Sequence, residues 1–274
     1  MDDCSNDNSR YQEETTDSVQ LNEQEQAILE KQNSRIVSSF KAQELDKYAK
    51  KHWDIFYKRN GDRFFKDRHW TTREFTQLLG DNNGIKQILE IGCGVGNFIY
   101  PLIADGINAE FFACDFSPRA IECLKSNLSY NPSVINAFTC DIVEDELVTH
   151  IPENSLDMVT SIFVLSAVNP DNHQAVVLNI HKVLKIGGLL LFRDYGLHDM
   201  AQLRFKPGHK IADNFYMRQD GTRSYFFSIE YLRNLFITNG FKECSNKYVC
   251  KRTVNVKEEI DVPRRFIQAT FSKQ

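Results

Sequence analysis

Residues 88–98, "ILEIGCGVGNF", form the stretch that decides the fold class. An apolar run ends at Ile91, and a segment with helical spacing follows. Between the two, glycines stand at alternate positions: Gly92, Gly94 and Gly96. Glycine lets the backbone approach a ligand closely where a first strand turns into a helix, although the turn by itself also fits an ordinary loop. A nicotinamide-type fingerprint would place its third glycine where this chain has Asn97, so the stretch predicts a ligand-binding turn of another kind.

Apolar runs that fit strands alternate with amphipathic segments on both sides of this turn. The predicted strands are 86–92, 109–115, 135–141, 156–167 and 187–196. Helical spacing between them, as in 117–128 and 172–185, is typical of a parallel sheet with helices on both faces. A helical segment at 228–240 precedes residues 241–254, which fit an antiparallel strand at the sheet edge. The sequence therefore predicts an α/β, Rossmann-like fold with a mostly parallel seven-stranded sheet.

The segments before the first strand differ from it in composition. Residues 1–20 carry six acids against one Arg and few apolar side chains, which predicts disorder. From Leu21 to about Tyr57, apolar residues return at helical spacing. The predicted organisation is a disordered acidic tail (1–20), an N-terminal helical segment (21–79) and an α/β domain (80–274) with an insertion (197–224).

Composition excludes several classes of protein. Seven scattered cysteines without a C-x-x-C motif argue against a disulfide framework and a zinc ribbon, and the seven histidines are equally dispersed, so we expect no metal site. No apolar run approaches membrane-spanning length, and the acidic start supports neither a secretory signal nor a mitochondrial presequence. We expect a chain without a membrane partner, located in the cytoplasm and also in the nucleus.

The net charge of −4 hides three basic regions. Residues 41–73 hold ten Lys and Arg against five acids, 203–223 hold five against two, and 242–265 hold seven against four. Each excess by itself fits a solvated face. Together they favour a polyanionic partner.

Acids end the second and third predicted strands. Asp115 follows Gly92 by 23 residues, where a Rossmann-like fold places a carboxylate on ribose hydroxyls, and Asp141 ends the next strand. A helix cap is the alternative role for either acid. Together with Glu90 before the glycines and "HKVLKIGGLLLF" at 181–192, the set resembles the class I methyltransferases that use S-adenosylmethionine. That resemblance implies S-adenosyl-L-methionine as the cofactor.

Longer motifs narrow the resemblance. They are "WDIFYKRN" (53–60), "FFKDRHWTTREF" (64–75), "GCGVGN" (92–97), "CDFSPRAIE" (114–122), "FVLSAV" (163–168), "LFRDYG" (191–196), "NFYMRQDGTRSYFF" (214–227) and "VPRRFIQATF" (262–271). From about residue 45 to the end, the chain resembles the eukaryotic enzymes that make 3-methylcytidine in tRNA, above all the branch that acts on serine tRNAs. The resemblance implies methylation of cytidine at position 32 in the anticodon loop and help from seryl-tRNA synthetase. We expect the chain to be monomeric by itself.

The resemblance also implies which residues bind ligands. The expected cofactor-binding residues are Trp53, Tyr57, Glu90, Gly92, Gly94, Gly96, Asp115, Phe116, Asp141, Ile142 and Ile162. Trp53 and Tyr57 lie four residues apart on one helical face and are expected to cover the cofactor, with core packing as the alternative. The expected RNA-binding residues are Phe64, Lys66, Arg68, Arg73, Arg204, Lys206, Lys210, Arg218 and Arg223. For these, core aromatics and solvated cations are the alternative.

Neutral cytosine already has a lone pair at N3, so transfer depends on alignment more than on a strong base. Positive charge moves onto the base, and a nearby anion would stabilise it. Asp194 is the predicted anion, and a salt bridge to Arg193 or Arg223 is its alternative role. Arg68 and His69 are predicted to contact the edge of the base. Two other functions stay open: a methyltransferase acting on a small molecule or protein, and a non-catalytic RNA-binding scaffold.

Overall fold

The computed structural model describes residues 14–61, 64–79, 84–255 and 260–274. Most of the acidic tail and the predicted domain boundary at residue 80 lie outside the described residues. The helices are α1 (Glu23–Gln32), α2 (Ser39–Lys47), α3 (Ala49–Asn60), α4 (Thr71–Glu74), α5 (Ile99–Ala104), α6 (Pro118–Ser126), α7 (His173–Val183), α8 (Met200–Leu203) and α9 (Ile229–Ile237). Among the described residues, none of these helices combines the length and apolar content needed to cross a membrane.

The strands form one large sheet and one small sheet. They are β1 (Glu14–Thr16), β2 (Lys86–Ile91), β3 (Ala109–Asp115), β4 (Ile135–Thr139), β5 (Leu156–Ile162), β6 (Leu184–Tyr195), β7 (Lys210–Ala212), β8 (Phe215–Met217), β9 (Arg223–Tyr225), β10 (Phe241–Asn255) and β11 (Ile260–Lys273). The large sheet has the order β1-β10-β11-β6-β5-β2-β3-β4. β2 to β6 pair in parallel, whereas β11 runs antiparallel to β6 and β10 antiparallel to β11. This confirms the predicted fold class.

The strand order sets the position of the site. β2 pairs with β3 on one side and with β5 on the other, so the chain reverses its direction of travel across the sheet at β2. In open α/β sheets, ligands bind at the carboxyl ends of the strands beside such a switch point. Ile88, Leu89 and Ile91 are fully buried, because both faces of this central strand are covered. The glycine turn that follows β2 is therefore held by a rigid core.

The edge of the sheet differs from the prediction of a wholly disordered tail. Thr15 and Thr16 of β1 pair antiparallel with Val249 and Tyr248 of β10, which adds an eighth strand. Threonine favours the extended backbone, and the exposed edge of β10 supplies the pairing partner. The polar composition of the segment gave no sign of this long-range pairing.

The region with helical spacing, from Leu21 to about Tyr57, is divided into three helices, α1 to α3. Asn22 and Glu25 form a reciprocal capping box at the start of α1, and Asn33 ends that helix. The Ser38 side chain accepts from the backbone of Lys41 and starts α2. Asparagine and serine side chains compete for backbone hydrogen bonds, so they divide the helical run.

The same segment is fixed to the insertion. Gln32 at the end of α1 is 1% exposed. Its amide donates to the carbonyls of Gln202 (2.9 Å) and Phe205 (3.0 Å), and its oxygen accepts from the Tyr216 hydroxyl (2.9 Å). Tyr216 belongs to β8, the middle strand of the small antiparallel sheet β7-β8-β9. Gln32 therefore joins the N-terminal helices to the insertion through a buried polar network.

Candidate active site

A cleft with a cavity volume of ≈ 180 Å³ opens at the carboxyl ends of β2, β3 and β4. It is lined by Asp46, Ala49, Trp53, Tyr57, Gly92, Asp115, Phe116, Cys140, Asp141, Ile142, Val143, Glu144, Phe163, Val164, Ala167, Val168, Asn169, Asn172 and Arg223. The lining does not include the other predicted cofactor residues, which lie in β2, in the glycine turn and at the end of β5: Glu90, Gly94, Gly96 and Ile162. Among the described residues, no group of His, Cys, Asp and Glu is arranged to hold a metal ion.

The turn after β2 requires glycine at two positions. Gly92 and Gly94 have positive φ angles of 56° and 54°. A Cβ atom on Gly92 would lie 2.6 Å from Val164 Cγ2, and one on Gly94 would lie 2.9 Å from the Tyr57 hydroxyl. Glycine therefore lets Val164 and Tyr57, which both line the cleft, pack directly against the backbone of this turn.

Asp115 ties this turn to the end of β3. Its carboxylate accepts from the backbone N–H of Gly94 (3.0 Å) and of Ser117 (2.9 Å). Burial raises the pKa of Asp115 to about 6, and the two backbone hydrogen bonds act in the opposite direction. Each carboxylate oxygen keeps a second lone pair, so Asp115 can hold the turn and still accept from ligand hydroxyls in the cleft.

Helix α3 covers the cleft from above. Trp53 and Tyr57 both line it, and their rings lie 6.1 Å apart with an angle of 33° between their planes. Asp54, between them in sequence, accepts a hydrogen bond from the Ser117 hydroxyl at the start of α6. This bond joins the covering helix to the strand end that carries Asp115. The predicted position of the two aromatic side chains over the site therefore agrees with the geometry.

The loop after β4 forms a further wall. Asp141 and Ile142 line the cleft, and the Asp141 carboxylate accepts from the backbone N–H of Val143 (3.0 Å). Val143 and Glu144 also line the cleft but were not predicted. They directly follow Asp141 and Ile142, so a prediction that extended along this loop would have included them.

Phe163 begins the motif at 163–168 but was not predicted as a site residue. It follows β5 with a positive φ of 60°, a strained conformation for a residue with a side chain. Its ring lies 5.2 Å from that of Tyr195, and the guanidinium carbon of Arg68 lies 5.8 Å from its centroid. Phe163 also lines the cleft, and because such strain clusters at binding sites it is a candidate site residue.

Arg68 lies inward, beside the strand ends. Its Nη1 donates to the carbonyl of Ile162 (3.2 Å) and lies 3.8 Å from Glu90 Oε1. Glu90 is 2% exposed. Burial raises the pKa of Glu90 to about 8, and the positive charge of Arg68 opposes that rise. Arg68 is thus partly buried next to the cleft. This position suits contact with a nucleobase in the cleft more than contact with a phosphate on the outer surface.

Asp194 lies within β6, fully buried, beneath the short turn at residues 165–167. Its carboxylate accepts from the backbone N–H of Ser166 (2.9 Å) and of Tyr195 (2.9 Å). Burial raises the pKa of Asp194 to about 6, and its hydrogen bonds and the charge of Arg218 oppose the rise. The cleft lining does not reach Asp194, although Ala167 of the same turn does line it.

The partners proposed for Asp194 in a salt bridge pair with other acids. Arg193 Nη1 lies 3.2 Å from Glu74 Oε2, and Arg223 pairs with Asp46. A catalytic role for Asp194 stays a prediction.

The predicted RNA-binding residues divide into two groups. The exposed residues are Phe64, Lys66, Arg73, Arg204 and Lys206, and His69 is exposed too. Lys210 lies 2.8 Å from an Asp213 oxygen, and Arg218 donates to the Ser224 hydroxyl (3.3 Å). Arg223 is 7% exposed and lines the cleft. Neighbouring acids and hydroxyls therefore hold these three cations of the insertion, and their predicted contact with RNA stays a prediction.

Comparison with known proteins agrees with this architecture. The profile of a family described as "Methyltransferase domain" matches residues 89–190, from β2 into β6. A solved SAM-dependent methyltransferase of Methanosarcina mazei aligns with a TM-score of 0.53 at 16% sequence identity, over 73% of this chain and 96% of that one. At that identity the likeness concerns the fold.

Two curated relatives are similar over most of the chain. The tRNA N(3)-cytidine methyltransferase METTL6 of Mus musculus is 53% identical over 246 residues, which cover 89% of this chain and 87% of the relative. The tRNA N(3)-cytidine methyltransferase METTL2 of Danio rerio is 35% identical over 301 residues, covering 96% of this chain and 85% of the relative.

Proposed function

The chain belongs to the tRNA N(3)-cytidine methyltransferase family, and from that premise we propose that it methylates N3 of cytidine at position 32 in the anticodon loop of serine tRNAs. The observation that carries the proposal is the cleft at the carboxyl ends of β2 to β4, where a glycine turn, a strand-end acid and two covering aromatics converge. The resemblance of the long motifs to the serine branch supports the choice of tRNA.

The residues of the cleft fit S-adenosylmethionine. Asp115 lines the cleft and keeps acceptor lone pairs for ligand hydroxyls, and glycine at position 94 lets the Tyr57 side chain close over the turn. We assign the Asp115 carboxylate to the ribose hydroxyls, and Asp141 with the backbone of Ile142 to adenine. When bound, the cofactor supplies a methyl group on a positively charged sulfur.

The protein contributes alignment and charge. N3 of neutral cytosine carries the attacking lone pair, so these residues need to orient the base and exclude water more than to remove a proton. Phe163 offers a ring face beside Arg68, and the Arg68 guanidinium can donate to the base edge from its place between Ile162 and Glu90. Asp194 lies under the neighbouring turn, where an ionised carboxylate would stabilise positive charge that develops on the base.

The RNA is expected to lie across the exposed cations of two elements. Lys66 precedes Arg68 in the N-terminal segment, and Arg204 and Lys206 belong to the insertion that is joined to this segment through Gln32. An anticodon loop is single-stranded, so one base can leave the stack at modest cost while its phosphates stay on the surface. We propose that seryl-tRNA synthetase adds the selection of serine tRNAs that a few exposed cations do not provide.

The test uses the full chain, S-adenosylmethionine, and purified serine and non-serine tRNAs that carry cytidine at position 32, each with and without seryl-tRNA synthetase. Mass spectrometry of nuclease fragments should locate 3-methylcytidine at position 32 of serine tRNA, with more product when the synthetase is present. Equal modification of both tRNAs regardless of the synthetase would contradict the proposed specificity. Activity in a cell extract that survives ribonuclease treatment would favour a small-molecule or protein substrate. Failure to bind the cofactor would favour a scaffold.

A further inference from the structure

A buried ion pair joins α4 to the middle of the large sheet. Arg193 of β6 is 2% exposed, and its Nη1 lies 3.2 Å from Oε2 of Glu74, the last residue of α4. The guanidinium also donates to Gln268 Oε1 of β11, and the Gln268 amide donates to the Glu74 carbonyl (3.2 Å). The pair is therefore enclosed by hydrogen bonds between three separate elements.

Aromatic rings and a second cation complete this enclosure. The guanidinium carbon of Arg193 lies 4.8 Å from the Trp70 ring centroid and 5.1 Å from that of Phe266. Lys251 Nζ lies 3.5 Å from Glu74 Oε1 and 5.7 Å from the Trp70 ring. Arg73 Nη2 also lies 3.3 Å from Glu74 Oε1, so three cations surround this one buried carboxylate, which helps to anchor α4 to the sheet.

Hydrogen bonds connect α4 to Arg68. Thr71, at the start of α4, donates to the Arg68 carbonyl through its backbone N–H (3.2 Å) and its hydroxyl (2.9 Å). The Arg68 N–H donates to the carbonyl of Asn97 in the glycine-turn region (2.8 Å). The Arg68 backbone is therefore held from both sides, and its guanidinium reaches Ile162 and Glu90 from that fixed point.

The carbonyl of Arg193 contacts the other wall of the site. It accepts from the backbone N–H of Phe163 (2.8 Å), whose ring faces Arg68. One residue thus contacts α4 through its side chain and the strained Phe163 through its backbone.

We propose that the Glu74–Arg193 ion pair is a positioning device, which sets Arg68 against Phe163 and the strand ends for alignment of the target base. The inference rests on the proposed function, because that function places a cytosine base next to Arg68. Glu74 and Arg193 act through Arg68, so we expect their loss to change turnover more than cofactor affinity. Displacement of an aligning group by about 1 Å can lower turnover by about 100-fold.

The experiment is a double-mutant cycle with Glu74→Gln, Arg68→Ala and the two combined. Glu74→Gln should lower kcat on serine tRNA on the order of 10- to 100-fold while cofactor affinity, measured by calorimetry, changes less than about threefold. If Glu74 acts through Arg68, the double variant should be no slower than Arg68→Ala. Multiplication of the two losses, or unchanged turnover in Glu74→Gln, would overturn the proposal.

Two controls separate positioning from stability. Glu243→Gln breaks an ion pair with Arg233 elsewhere in the fold (3.0 Å) and should leave kcat unchanged, whatever its effect on the melting temperature. Should Glu74→Gln not fold, Arg193→Lys replaces it in the cycle, since lysine keeps the charge but lacks the planar fork that contacts Glu74 and Gln268 together.

Backbone hydrogen exchange tests whether the ion pair positions Arg68, and this measurement does not depend on enzymatic activity. In Glu74→Gln, the backbone N–H of Arg68, which donates to Asn97, should exchange at least about tenfold faster than in the wild-type chain, because its attachment to α4 is weakened. Unchanged exchange would refute positioning even if turnover fell. If the wild-type chain did not methylate tRNA, the proposed function would fail while this measurement still decided the structural claim.

Discussion

The two sides of the cleft are built by different means. On the cofactor side, the contacts of Gly92, Gly94 and Asp115 come from consecutive strand ends and are fixed by bonds to nearby backbone. On the side assigned to the base, the residues come from three separate parts of the chain: Arg68 from the loop before α4, Phe163 from the loop after β5, and Asp194 from β6. There, charged groups are held by buried acids and by hydrogen bonds between distant parts of the chain.

This difference predicts different consequences of substitution. A change on the cofactor side should mainly alter cofactor affinity, because it removes one local contact. A change on the base side should alter turnover and folding together, since its charged groups are buried and depend on their partners. Measurements that separate binding, turnover and stability can therefore break or sharpen the comparison.

The largest effect is expected for Asp194→Asn. If Asp194 stabilises positive charge on the base, kcat should fall by one or more orders of magnitude, about 1.4–4 kcal/mol, with cofactor affinity unchanged. An amide has one acceptor oxygen, so one of the N–H donors of Ser166 and Tyr195 also loses its partner, which costs about 1–3 kcal/mol of stability. Single-turnover kinetics and thermal melting measure the two effects separately.

Asp157→Asn is the matched control for this substitution. Asp157 lies at the opposite end of the sheet and accepts from the backbone N–H of Gln87 (2.8 Å). It should lose stability without loss of turnover. If Asp194→Asn behaved in the same way, Asp194 would be structural and the base side would lack its proposed anion.

Asp115→Ala tests the cofactor side. Loss of a buried charged acceptor should weaken binding of S-adenosylmethionine by about 1–3 kcal/mol, as measured by calorimetry. Asp141→Ala should cost less, because the Ile142 backbone shares the assigned adenine contact. An unchanged affinity in a folded Asp115→Ala variant would contradict the assignment of Asp115 to the ribose hydroxyls. It would also remove the contrast between the two sides of the cleft.

The cofactor side could be predicted from the sequence because its chemistry is local. The glycines and Asp115 lie within one strand–helix–strand unit, and the period of the apolar residues shows where each strand ends. Gly92 and Gly94 adopt positive φ as that motif requires. By contrast, β1 depends on pairing with residues more than 200 positions away, which no local pattern records.

The base side could be predicted only as a set of residue types. The basic excess of the insertion was visible, but Arg223 meets Asp46 177 residues earlier in the chain and is buried there. Likewise, Glu74 gave no signal in the sequence, since its partners Arg193, Lys251 and Gln268 come from β6, β10 and β11. Periodicity shows which face a residue occupies, but not which acid a buried cation meets.

The pH dependence of stability tests how Glu90 is held beside Arg68. Burial raises the pKa of Glu90 from 4.5 to about 8, so the folded chain binds this proton more tightly than the unfolded chain. The contribution of Glu90 to stability is therefore fully present below pH 4.5 and is lost as the pH rises towards 8, by at most about 1.4 kcal/mol per pH unit. Denaturant unfolding from pH 5 to 8 should show this decline in the wild-type chain and a shallower one in Glu90→Gln. Parallel curves would show that Glu90 is ionised throughout and held by Arg68.

The smallest effects are expected from the exposed cations, Lys66 and Lys206, because a single phosphate contact at the surface contributes little. Each substitution to Ala should weaken tRNA binding a few-fold and reduce the slope of log affinity against log salt by about 0.7–0.9, since each phosphate contact releases condensed counterions. Cofactor affinity should stay constant.

Lys185→Ala is the matched control, because Lys185 lies near the start of β6, at the end of the sheet opposite the cleft, and is 46% exposed. Filter-binding titrations over a range of salt concentrations measure all three variants. If Lys185→Ala lowered the slope as much as the other two, binding would be a diffuse charge effect, and the base side would have no defined RNA surface. A reduction confined to Lys66→Ala and Lys206→Ala would instead place the tRNA across the two elements that Gln32 joins.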